Sequence, residues 1–121
     1  MSQTISTEFG KIIISDEAIS TVAGVAALEC YGLVGMTSRS RIRDGFIELL
    51  GKENLSRGVE VQVCDGSIIV DLYIIVGYGT KISEVAQNIM EKVKYVVESH
   101  VGLPVEHVNI NVQGVRVNEG K

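Results

Sequence analysis

VEVQVCDGSIIVDLYIIV, residues 59 to 76, decides the fold, because it reads as two strands joined by Asp65-Gly66, a two-residue turn that suits strand twist. In that register Cys64 faces Ser67, and Val63/Ile68, Val61/Val70 and Val59/Leu72 become cross-strand pairs on the core side. The other side pairs Gln62 with Ile69 and Glu60 with Asp71, then runs on through Tyr73 and Ile75. Its end is apolar on both faces. Leu72, Ile74 and Val76 take the inward phase, so an outward strip of Ile69, Tyr73 and Ile75 is expected, of the kind that marks a contact surface.

Working outward, GYGTK at 77 to 81 ends the strand, and Thr80 or Ser83 is placed to cap a helix running to about His100. Ile82, Val85, Ala86, Ile89, Val93 and Val96 form its buried stripe, and Gly102 with Pro104 terminates it. VEHVNINVQGVRV then alternates, with Val108, Ile110 and Val112 on one side and His107, Asn109, Asn111 and Gln113 on the other. This is a last strand with one covered face.

Upstream, KIII at Lys11 to Ile14 is a short β run, followed by a helix that Ser15 caps and whose N-terminal dipole Asp16 and Glu17 oppose. Ile19, Val22, Ala23, Ala26 and Cys30 make its stripe, and Gly32 is its stop. The window from 18 to 36 carries Glu29 and three glycines, too polar and too rich in small residues for a membrane span of about 20 apolar residues. Between Met36 and Gly58 the composition changes. Arg39, Arg41, Arg43, Lys52 and Arg57 interleave there with Ile42, Phe46, Leu49 and Leu50, which describes a loop with a short amphipathic helix. This basic stretch reads either as a solvated connection or as a contact for an acidic partner or phosphate, and the alternative to an exposed Ile69–Ile75 strip is that the loop from Met36 to Gly58 folds back over it through Phe46, Leu49 and Leu50.

The order β-α-β-β-α-β, with two amphipathic helices and one-sided strands, packs as an α+β two-layer sandwich, both helices on one face of a small mixed sheet. A ferredoxin-like strand arrangement and a related αββαβ sandwich both fit. The 121 residues suit one domain, 1–121, with an ordered core of about 8–117.

GKIIIS (10 to 15), GLVGM (32 to 36), GVEVQV (58 to 63), YGTKISEVAQNI (78 to 89) and VNINVQGVRV (108 to 117), in this order and spacing, resemble the bacterial alkaline shock protein family, also called the general-stress or envelope stress response family. Ser83 stands where related sequences often carry proline. The resemblance implies a non-enzymatic cytoplasmic protein of Gram-positive bacteria, linked to cell-envelope homeostasis, some of whose relatives are held at the membrane by an anchored partner.

Composition agrees with a role in contacts. Eleven Lys and Arg against fifteen Asp and Glu give a net charge of -4, which opposes general attraction to nucleic acid or anionic lipid. Cys30 and Cys64 are lone thiols, and Met1 to Gly10 lacks a signal-peptide pattern, from which a reducing cytoplasmic context is expected. His100 and His107 have no ligand spacing with the cysteines, so no metal is expected. No Ser or Cys has a base and an orienting acid at motif spacing, no glycine loop matches a phosphate cradle, and VGYG at 76 to 79 is a strand exit rather than a pore filter. Neither a catalytic residue nor a cofactor is expected.

The expected function is a stress-response scaffold or interaction protein for cell-envelope homeostasis. Its surface is expected to be Ile69, Tyr73, Ile75, Asn109 and Asn111 with Arg39, Arg41 and Arg43, engaging protein partners, membrane-anchored relatives or further copies of itself. The alternative is a single-stranded nucleic-acid-binding module that stacks bases on the sheet, for which Tyr73 is the available aromatic.

Overall fold

The computed structural model describes residues 2–38, 57–64 and 66–117, with backbone alone for Ser2 and Cys64. Eight elements follow in order: strands β1 (Ser2–Thr7) and β2 (Gly10–Ser15), helix α1 (Asp16–Leu28), strands β3 (Leu33–Met36), β4 (Val59–Cys64) and β5 (Ser67–Gly77), helix α2 (Ile82–Val101) and strand β6 (Val105–Arg116). Arg39, Arg41 and Arg43, and the amphipathic stretch with Phe46, Leu49 and Leu50, lie outside the described residues.

β5 is the centre of a four-stranded mixed sheet. β6 runs parallel to it from Ile68 to Gly77, while β4 (opposite 67–72) and β3 (opposite 74–76) are antiparallel. A strand has two edges, so β3 and β4 lie in series on one and β6 occupies the other. The β4–β5 register is the one expected from the turn, with Val59, Val61 and Val63 opposite Leu72, Val70 and Ile68. Ile68, Val70, Leu72, Ile74 and Val76 are all at 0% exposure. They form the floor of one apolar core with Ile19, Ala23 and Ala27 of α1 and Val85, Ile89, Val93 and Val97 of α2. The helices pack on one another and on the same sheet face, giving the α+β two-layer sandwich.

The Ser15 hydroxyl accepts the Ala18 N–H at 3.1 Å, as a cap should, and small residues at Ala23, Gly24, Ala26 and Ala27 bring α1 close to its neighbours. α1 ends at Leu28, four residues before the expected stop. Gly32 serves another purpose: its φ is +91°, and a Cβ placed there would lie 2.6 Å from Val85 Cγ2. Only glycine combines that backbone conformation with so close an approach to α2.

α2 departs from expectation at both ends of its reading. Neither Thr80 nor Ser83 caps it. Lys81 takes the N-cap position without a side-chain bond, because the Thr80 hydroxyl donates instead to the Gly77 carbonyl at 2.8 Å. The buried stripe is Val85, Ile89, Val93, Val97 and Val101, leaving Ile82 41% exposed and Val96 only half-buried. Gly102 closes the helix with its N–H on the Glu98 carbonyl, and the Glu98 carboxylate accepts the Val105 N–H at 2.9 Å, tying helix end to strand start.

The strand before α1 does not enter the main sheet. β2 contains Lys11–Ile14 as expected, but it pairs antiparallel with β1 over six residue pairs in a separate hairpin. Its three consecutive isoleucines lack the alternation that would sort a strand between core and solvent, and Ile12 and Ile13 are exposed. Neither the ferredoxin-like arrangement nor a first strand at the edge of the sheet is therefore found: β2 stays outside the main sheet and β3 supplies an additional strand.

Candidate interaction surface

The helices cover one sheet face; the candidate site is the other. Register places its residues in rows across β4, β5 and β6: Glu60–Asp71–Asn109, then Gln62–Ile69–His107, with Tyr73 beside Asn111. Parallel pairing of β6 with β5 brings Asn109 and Asn111 to this face as the alternation required. Asn109 Nδ2 donates to Asp71 Oδ1 at 2.9 Å, and Asn111 Nδ2 donates to the Leu72 carbonyl at 3.2 Å. The Tyr73 hydroxyl donates to Glu60 Oε1 at 3.4 Å. The surface is therefore a set of held amides and carboxylates around two half-buried apolar side chains, Ile69 and Tyr73.

Ile75 does not stand in water as expected. It is 3% exposed. Its lateral neighbours on the strands either side are Gly35 and Gly114, and a Cβ at Gly114 would lie 3.3 Å from Ile75 Cδ1. The tip of the isoleucine thus lies close over Gly114. Among the described residues expected on this face, the partly exposed apolar ones are thus Ile69 and Tyr73. The arginines expected to join them lie outside the described residues.

Reactive chemistry is sparse. Among the described residues no group of three or more His, Cys, Asp or Glu is placed to hold a metal ion. His100 lies in the last turn of α2 with Nδ1 2.9 Å from the Val96 carbonyl, a helix-terminal position, and His107 lies 3.9 Å from the exposed Glu106 carboxylate. Partial burial pushes the Cys30 thiol up, with Lys92 lowering it and Glu29 raising it to lesser extents, so it is a poor nucleophile at neutral pH. Sequence reasoning missed a groove of about 330 Å³ between the helices, lined by Val22, Val25, Ala26, Val96 and His100. Its signal was Val25, an apolar residue off the α1 stripe and 46% exposed. No described helix is long and apolar enough to cross a membrane.

The fold defines a class: a two-layer α+β domain with both described helices on one face of a mixed sheet. Its fold is shared with the copper form of the MamM CTD, a solved structure that matches with a TM-score of 0.50 at 15% identity, covering 87% of this chain and 91% of that one. The chain belongs to the alkaline shock protein 23 family, described as having a cell envelope-related function, whose pattern it matches over residues 4–117. It is similar to the uncharacterized protein YloU of Bacillus subtilis, 57% identical over 117 residues that cover 97% of this chain and 98% of the relative. It is likewise similar to the uncharacterized protein Spy1614 of Streptococcus pyogenes, 48% identical over 117 residues, 97% of each chain. The family expected from the ordered motifs is the family found.

Proposed function

We propose that this chain is a non-enzymatic, cytoplasmic interaction protein or scaffold of the stress response that serves cell-envelope homeostasis by docking a protein partner on the outer sheet face. The observation that carries this is the patch of Ile69 and Tyr73, rimmed by Glu60, Gln62, Asp71 and Asn109, on the face away from both described helices. An apolar centre with a polar rim is the usual anatomy of a contact surface. Any stay at the membrane would be peripheral, through an anchored partner. The patch opposes the nucleic-acid alternative, because the Glu60 and Asp71 carboxylates flank the aromatic on which a base would stack and repel its phosphates.

A photo-reactive residue at position 69 is expected to crosslink, in living cells, to an envelope-located protein identifiable by mass spectrometry. RNA in the adduct would replace this reading with the alternative. Ile69→Arg is expected to weaken binding of the identified partner at least about tenfold, since burying an isoleucine contributes about 1.5–3 kcal/mol. Its far-UV circular dichroism should be unchanged; equal binding by this variant removes the outer face as the dock.

Arg39, Arg41 and Arg43 are proposed to add attraction for an acidic partner. Changing all three to Ala should weaken binding most at low salt, with the deficit shrinking as ionic strength rises. Equal binding at low salt would dismiss them.

A further inference from the structure

β6 is an edge strand. Among the described residues its 12-residue length pairs with β5 alone, so its second edge presents unpaired backbone groups. An open edge is a template for pairing with another chain unless lysine, proline or a bulge blunts it. β6 contains neither lysine nor proline. Its irregularities against β5 fall outside the middle of the strand, in the steps from Val105 to His107 and from Val112 to Gly114. The regular stretch between them includes Val108 to Val112, which reads VNINV in both directions.

From this we infer that β6 is the interface of a two-fold dimer, pairing antiparallel with β6 of a second copy of the chain, centred on Ile110. A palindromic strand is self-complementary in that arrangement and in no other register over all five residues. Val108 falls opposite the partner's Val112, Asn109 opposite the partner's Asn111, and Ile110 opposite its own counterpart. Directly opposite residues in an antiparallel pair share a face, so apolar meets apolar on the core side and amide meets amide on the outer side.

Burial and charge point to the same occupant. Ile110 and Val112 take the core-facing phase yet are only half-buried, whereas their β5 neighbours Leu72 and Ile74 are at 0% exposure. A second copy extends the sheet and covers that open flank. Beyond the palindrome the strand carries Glu106 at one end and Arg116 at the other. Antiparallel pairing brings the end of one strand that carries Glu106 toward the end of the partner strand that carries Arg116. Unlike charges thus meet at both ends. The backbone pairing lies at the sheet edge and leaves Ile69 and Tyr73 out, though Asn109 and Asn111 border both surfaces, so an Ile69→Arg variant that still dimerises separates this interface from the docking proposed above.

The test is a charge swap on the full chain, read by analytical ultracentrifugation. The unaltered protein should dimerise. Asn109→Lys with Asn111→Lys sets lysine against lysine twice across the interface and should raise the dimer dissociation constant at least about tenfold. Asn109→Glu with Asn111→Glu should do the same, and an equimolar mixture of the two variants should recover a heterodimer. A monomeric unaltered chain, a lysine variant that dimerises as before, or a mixture that stays monomeric each overturns the proposal. Should the variants fail to fold, hydrogen exchange on the unaltered chain decides. Backbone amides of Val108–Val112 that face away from β5 must lose protection on dilution through the dimer range, and protection independent of concentration refutes the interface.

Discussion

Leu72→Lys is expected to leave the chain unfolded in water at room temperature. Leu72 lies in the inward phase of β5 at 0% exposure, opposite Val59 on one side and Ile110 on the other. Truncating a buried leucine to alanine alone costs about 2–5 kcal/mol. A lysine adds the larger cost of an ammonium without a partner among Ile19, Ala23, Ile89 and Val93, against a total stability of about 5–15 kcal/mol for a domain. Circular dichroism should show no cooperative urea transition.

Ile75→Lys tests the opposite phase of the same strand. Although Ile75 is 3% exposed, it stands outside the core cluster that the helices cover, and a lysine there has a long flexible stem on which to carry its ammonium away. The variant should therefore fold, with stability lowered by about 1.5–3 kcal/mol for the lost burial. An unchanged urea midpoint would show that the isoleucine was not held against the sheet, and a cooperative Leu72→Lys would show that β5 does not sit at the centre of the core.

Gly32→Ala is expected to cost about 2–5 kcal/mol, an unusually large effect for adding one methyl group. Two terms combine. Holding alanine in the left-handed region at φ +91° costs about 1–2 kcal/mol, and forcing a Cβ to 2.6 Å from Val85 Cγ2 overpacks the α2 contact at about 1–3 kcal/mol. Val85→Ala removes the second term and leaves the first, so the double variant should lose less stability than the sum of the two single losses. Strict additivity in urea denaturation would mean that the close approach to α2 is absent.

The β4–β5 hairpin shows how much was legible in local sequence. Six cross-strand pairs follow from one Asp-Gly turn, because a two-residue connection sets the register and alternation then assigns every side chain to a face. The α1 cap and the alternation of β6 follow similarly from groups only a few residues apart. In the α2 stripe Val85, Ile89 and Val93 were legible, whereas Ile82 is exposed and the expected Val96 gives way to Val97 and Val101. Apolar spacing defines a face only to within a residue, and packing against the sheet selected the row. The cap was misassigned because Thr80 had a nearer carbonyl, Gly77, than the helix start.

Pattern by itself determined the α+β class, the central apolar strand and the two amphipathic helices of the described residues. Only the tertiary structure decided which strands neighbour β5, that the four-residue β3 joins the sheet while β2 pairs with β1 outside it, and that Ile75 is buried. Those outcomes depend on hydrogen bonds between segments tens of residues apart and on which side chains stand beside a given residue. Nothing in YIIV itself shows that both lateral neighbours of Ile75 are glycines. Alternation along a strand states which way a side chain points, whereas its exposure is set by everything that packs on it in the folded chain.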